Sequence, residues 1–152
     1  GKPVTILPGG AFFDSALSFA IIRGGHVDVT VLGALEVDAW GNLASWMIPG
    51  KMVPGMGGAM DLVVGAKKVI VATSHTTKDG QPKLLEKCRL PLTAVHEVDL
   101  VVTELGVFRP GGGTMILLER HPAFSVEQIR ELTGAPLEPA PELKDMPLPA
   151  AV

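Results

Sequence analysis

Short β-branched runs closed by glycine, with a capped helix between them, constrain the possible folds of this chain more than any other feature. Val4 to Leu7 is such a run and Pro8-Gly9-Gly10 stops it, which predicts a buried strand. Asp14 then stands where a helix N-cap is needed. Leu17, Ala20 and Ile21 share one face at helical spacing, and Gly24-Gly25 offers a C-cap after Arg23. Val27 to Leu32 is strand-like again. Strand, helix and strand within roughly thirty residues form a βαβ unit, which requires parallel pairing and a right-handed crossover.

The rest of the chain extends this pattern. Gly41-Asn42 is a turn between Leu35-Glu36-Val37 and Leu43-Ala44, predicting a hairpin or two short strands bent over the sheet end. A short helix is expected over 59–66, and strands over 69–72 and 100–103. Gly111-Gly112-Gly113 predicts a hairpin turn into Met115 to Leu118. Ser125 with Gln128 makes a capping box for a helix ending near Gly134. Residues 1–134 therefore read as one α/β domain, a mainly parallel sheet with flanking helices. From Ala135 five prolines fall in 18 residues, predicting a tail laid across the surface or left mobile. The chain opens without an initiator Met directly into a strand-like run, which reads as an internal start.

Charge and cysteine content narrow the functional classes. The formal net charge is −3 and the longest basic run is Lys67-Lys68, so no nucleic-acid face is expected. Cys88 is the single cysteine. That excludes a disulfide framework and fits a reducing, cytoplasmic compartment. No apolar run reaches the roughly 18 residues of a membrane helix, and the N-terminus lacks the features of a signal peptide. No His, Cys, Asp or Glu grouping has metal-ligand spacing, so no metal is expected.

The stretch from Ile48 to Asp61 is rich in glycine and proline yet apolar, which predicts an ordered loop with close backbone approach to something. Gly55-x-Gly57-Gly58 is not a dinucleotide fingerprint, since Met60 stands where a third glycine is needed. Gly50-Lys51 is followed by Met52 rather than Ser or Thr, so it is not a phosphate-binding P-loop. Two readings remain. The glycines serve tight turns of positive φ, or their unshielded amides bind an anion or a developing oxyanion.

Several segments together resemble the β-subunit of succinyl-CoA:3-ketoacid CoA-transferases. They are Leu7 to Ala11, Ile22 to Asp28, Val31 to Leu35, Gly41 to Ala44, Trp46 to Val53, Gly55 to Asp61 and Leu90 to Thr93. The likeness covers about residues 2 to 108 in order and continues more weakly beyond. It implies a CoA-transferase-type α/β fold, of the kind shared with NagB and RpiA. It also implies ping-pong transfer of coenzyme A between carboxylic acids by a glutamate nucleophile. Coenzyme A would then be a substrate, with no permanently bound cofactor. The amide of Gly58, beside Gly57, would meet the oxyanion. Lys51, Met56 and Ala59 would lie at the substrate, and the 48–60 stretch would also face an α-type subunit in a hetero-oligomer of α2β2 kind. A family lysine that contacts CoA falls near Lys2, one residue out of register.

The departure is the nucleophile. The family places it in a Ser-Glu-Asn-Gly motif upstream of the region matching Lys2, and no Glu-Asn-Gly occurs here. Glu36, at a hairpin edge where the family commonly has glutamine, reads as a solvated carboxylate rather than a substitute. The chain alone is therefore expected to be inactive. His75, just past the 69–72 strand, sits where open α/β sheets place sites. His26 reads as structural, and His96 and His121 as loop residues. Cys88, between Lys87 and Arg89, either gains thiolate character or is, as lone cysteines more often are, buried or incidental. Two other classes stay open: a non-catalytic module that only binds acyl-CoA or an enzyme subunit, and a sugar-phosphate isomerase on a similar fold.

Overall fold

Asp14 starts the first helix as the sequence predicts, its Oδ1 accepting from the Leu17 amide at 2.9 Å. The structure is a computed structural model that describes residues 3–50, 53 and 56–148. Helix α1 spans Ser15–Arg23, and Gly24 caps its C-terminus. Strand β1 (Thr30–Leu32) follows, then β2 (Glu36–Asp38) and β3 (Leu43–Ala44), which pair antiparallel around Gly41 as expected. Helix α2 (Ala59–Gly65) leads into β4 (Val69–Ala72). After β5 (Leu84–Leu85) and β6 (Leu100–Val102) come β7 (Gly106–Pro110) and β8 (Met115–Arg120), then α3 (Val126–Leu132) and β9 (Leu137–Asp145). The capping box of Ser125 and Gln128 is complete.

These strands form a six-stranded sheet in the order β1-β4-β6-β7-β8-β9 and a three-stranded sheet in the order β3-β2-β5. In the larger sheet β1/β4, β4/β6 and β8/β9 pair parallel, while β6/β7 and β7/β8 pair antiparallel. The fold is thus α/β with a mainly parallel sheet. Val71, Val101, Phe108, Met115, Leu117, Ile129, Leu43 and Val63 are fully buried in a single core between the sheets and helices. Among the described residues, no helix is long and apolar enough to cross a membrane.

Two expectations differ from the structure. Val4 to Leu7 is not a strand. Val4 is 73% and Leu7 84% exposed, and the run closes on itself through the Gly10 amide donating to Leu7 O at 2.9 Å. Without a neighbouring strand a short β-branched run has nothing to pair with, and propensity alone does not make a ladder. The first parallel pair is therefore β1/β4, joined through α2, rather than Val4–Leu7 with Val27–Leu32. The proline-rich segment after Ala135 is also more ordered than a tail. Residues 137–145 add to the sheet edge beside β8, a place where proline is tolerated.

Helices α1 and α2 approach closely. A Cβ at Gly65 would lie 2.4 Å from Ile22 O, so only glycine lets the two backbones meet there. Arg23 adds an ion pair to Asp61 at 2.7 Å.

Candidate active site

The parallel strands β1, β4 and β6 all end on one edge of the sheet, and their chains turn away at Gly33, Thr73 and Thr103. Helix α2 precedes β4, so its first residue stands on that same edge. This is the edge where open α/β sheets bind ligands.

Gly58 is the N-cap of α2, with φ −89° and no side-chain cap. Gly57 before it has φ +58°, in the left-handed region that favours glycine. Gly58 O accepts from the Leu62 amide at 3.0 Å. No carbonyl among the described residues accepts from the Gly57 or Gly58 amides. A Cβ at Gly58 would lie 3.1 Å from Phe19 Cε1 of α1. The glycine pair therefore meets the backbone requirement at the sheet edge, and the two readings of these glycines are compatible. Met56 and Ala59 flank the pair, each half-buried. Lys2 and Lys51 lie outside the described residues.

Glu36 is not the solvated carboxylate expected from its hairpin position. It is 6% exposed. Its Oε2 accepts from the amides of Arg89 at 2.7 Å and Leu90 at 2.9 Å. Its Oε1 accepts from Arg89 Nε at 3.2 Å and pairs with Arg89 Nη2 at 3.2 Å. Both oxygens are engaged, so Glu36 is a clamp on the 89–90 turn and is not free to attack a substrate. Asp38, further along the same strand, does similar work. It is fully buried and accepts from the amides of Trp40 at 3.0 Å, Asn42 at 3.1 Å and Cys88 at 3.0 Å, and from Asn42 Nδ2 at 2.9 Å. Cys88, half-buried beside these carboxylates, follows the second of its two readings. Burial first, then Asp38 and Glu36, push its thiol well above the ordinary value, so it stays protonated and unreactive.

His75 is at the strand-end edge but fully buried. Thr133 Oγ1 donates to Ile129 O at 2.7 Å, so it accepts from His75 Nε2 at 3.0 Å. That leaves Nδ1 to accept from Thr103 Oγ1 at 3.1 Å. Burial pulls its pKa down to about 4, with Glu104 opposing. A neutral, doubly bonded imidazole with no solvent path joins α3 to the end of β6 and is not placed to act as a base. His96 Nδ1 donates to Trp40 O at 2.7 Å, and His121 Nδ1 accepts from the Ala123 amide at 3.2 Å. Each is a loop fastener. His26 is exposed just past α1, its amide donating to Ile21 O at 3.2 Å.

Sequence reasoning missed Lys83. It lies just before β5 with its amide donating to His75 O at 3.0 Å. Its ammonium reaches Thr73 Oγ1 and stands 3.5 Å from Ser74 Oγ, at the mouth of a cavity of about 520 Å³ on the strand-end edge. Nothing local in Pro82-Lys83-Leu84 signals this, because the contacts come from the end of β4.

Residues 1–132 match the coenzyme A transferase family. The chain is 57% identical over 146 residues to the beta subunit of the acetate CoA-transferase of Haemophilus influenzae, covering 96% of this chain and 66% of that protein. It is 50% identical over 137 residues to the β-type subunit of the succinyl-CoA:3-ketoacid coenzyme A transferase of Helicobacter pylori, covering 90% of this chain and 66% of that one. It thus spans 66% of the length of each of these relatives. Among solved structures, the acyl-CoA transferase YdiF of Escherichia coli O157:H7 superposes with a TM-score of 0.78 at 25% identity, over 90% of this chain and 31% of that one. With a family match over most of its length and a transferase-like fold, this chain belongs to the coenzyme A transferase family.

Proposed function

We propose that this chain is part of the β-type subunit of an acyl-CoA:carboxylate CoA-transferase, working with an α-type subunit in a hetero-oligomer. Its donor is an acyl-CoA such as succinyl-CoA, and its acceptor a short acid. The names of the similar proteins point to two acids, acetate and a 3-oxoacid such as acetoacetate. Coenzyme A is a substrate carried between them.

The observation that carries this reading is the Gly58 amide at the strand-end edge, whose hydrogen no carbonyl among the described residues accepts, beside the left-handed Gly57. The chemistry that fits it is acyl transfer through a carboxylate nucleophile. A glutamate oxygen attacks the thioester carbonyl, and the carbonyl electrons move onto oxygen. Collapse breaks the C–S bond, releases CoA thiolate and leaves a mixed anhydride. The thiolate then attacks the glutamyl carbonyl, the first acid departs as its carboxylate, and a glutamyl-CoA thioester remains. The same steps in reverse load the second acid. Each tetrahedral intermediate carries a charged oxygen that a fixed N–H stabilises. Glu36 is held by Arg89 and Leu90, so we assign the attacking glutamate to polypeptide outside these 152 residues.

The test uses the assembled enzyme. Gly58→Pro removes the N–H, and Gly58→Ala retains it while making the same contact with Phe19. The expected result is a loss of about 10²–10³ in kcat for the proline variant, with the alanine variant far less affected. Equal losses in both would assign Gly58 to packing alone. Incubation with succinyl-CoA and no acceptor should add the mass of CoA, less water, to a polypeptide of the complex. No adduct and no exchange with any acid would sink the transferase reading.

A further inference from the structure

The strand-end cavity is chemically uneven. Leu35, Ile48, Pro82 and Leu90 give it an apolar wall, and Ile48 opens the stretch that leads to Gly58. Its polar side holds three cations. Arg89 is committed to Glu36. Lys78 stands beside Asp79 in sequence, so these two contribute opposite charges at the rim. Lys83 is different. Among the described residues no carboxylate lies within ion-pair distance of its ammonium.

What holds Lys83 is a hydroxyl. Thr73 Oγ1 donates to Ala34 O at 3.2 Å, so its lone pairs face the ammonium and accept from it. This fixes the long side chain, and with a second, longer bond to Ser74 Oγ it leaves one of the ammonium's three N–H donors for a ligand. Ser74 Oγ, 3.5 Å away, donates its own hydrogen bond to Thr76 O at 2.9 Å. Glu104 acts on Lys83 through space but makes no ion pair with it, and its two oxygens share the His75 amide at 3.1 and 3.0 Å. The half-buried position holds Lys83 below the ordinary lysine pKa. A partly desolvated cation oriented by hydroxyl oxygens thus lines the same cavity as the apolar wall, with no carboxylate of the described residues paired to it. One ammonium and a short apolar surface suit a small carboxylate with a short alkyl chain. The phosphates of coenzyme A would call for several cations or a bidentate guanidinium.

We infer that Lys83 is a binding residue for the carboxylate of the free acid, with the wall of Leu35, Ile48 and Leu90 selecting a short acyl chain. This inference rests on the transferase reading and names the acid subsite for it. Its test varies each substrate separately in the assembled enzyme. Lys83→Met should raise KM for acetate or acetoacetate by at least about tenfold, the scale of a charge-assisted hydrogen bond. KM for succinyl-CoA and inhibition by 3′,5′-ADP should stay within about twofold, and Lys83→Arg should recover part of the acid affinity. A Lys83→Met enzyme that loses affinity for 3′,5′-ADP while keeping its KM for the acid would make the site a phosphate site and overturn the inference. Unchanged constants for both substrates would overturn it as well.

A second readout needs no variant. In the wild-type enzyme, saturating acetate should slow cyanate carbamylation of Lys83, followed by peptide mass, relative to Lys78. Equal rates with and without acetate would refute the subsite. Protection of Lys83 in an enzyme that exchanges CoA with no acid would leave the carboxylate site standing and remove the transferase reading instead.

Discussion

Two regions of the large sheet obey the same sequence rules and reach different packing. In the β7–β8 region, Phe108, Met115 and Leu117 are fully buried. At the β1 end, Val29 is 51% and Val31 62% exposed, and α1 beside it buries no residue although its caps are sound. Phe12, Phe13 and Leu17 add to this wet apolar surface. Alternation, caps and turns therefore suffice to form elements in both regions, but only one has its cover. Exposed apolar residues next to an edge strand mark a surface shaped for further polypeptide.

The sharpest way to break that contrast is to attack the covered region. Phe108→Ala should lower unfolding free energy by about 3–5 kcal/mol in urea titration. A loss below about 1 kcal/mol would show that this core is looser than its burial implies. Next comes the clamp of the small sheet. Asp38→Ala should cost about 3 kcal/mol, since it strands several buried N–H donors, and an unchanged midpoint would show that water replaces the carboxylate.

The third test is pH. His75 is neutral in the fold with a pKa near 4, against 6.5 when exposed. Its lowered folded value means the unfolded chain binds the proton first. Its contribution is complete above pH 6.5 and is lost as pH falls toward 4. The slope should remove up to about 3 kcal/mol over that interval, and His75→Gln should flatten it. A slope that persists in His75→Gln would assign the acid sensitivity to another group. Smallest of all, Val31→Thr at the uncovered end should move stability by less than about 0.5 kcal/mol. A loss above about 2 kcal/mol would mean β1 is covered after all.

Legibility follows the range of each interaction. The limits of α1, the Gly41 hairpin, β4 and the capping box at Ser125 are readable because cap and turn chemistry acts within a few residues. The left-handed turn at Gly57 is readable for the same reason. The strand expected at Val4–Leu7 fails because pairing needs a neighbour that a local pattern cannot supply. Glu36 misleads because its partners, Arg89 and Leu90, are more than fifty residues away. Strand β5 is two residues long and has no period to detect. Lys83 is invisible because the hydroxyl that orients it belongs to the end of another strand. His75 is legible as an edge residue, but its burial depends on Thr103 and Thr133 closing over it from two other elements.

Strand β9 carries Pro139 and Pro141 two residues apart and ends the sheet order opposite β1. Proline has no N–H, so two successive donors on one side of that rim are missing, and another strand that tried to zip onto it would find gaps in the ladder. The β1 rim has no such block in Thr30-Val31-Leu32. The sheet is therefore a one-way template: it can be lengthened from its β1 margin and is sealed at the other, so copies of the chain cannot stack rim to rim into a filament using both margins.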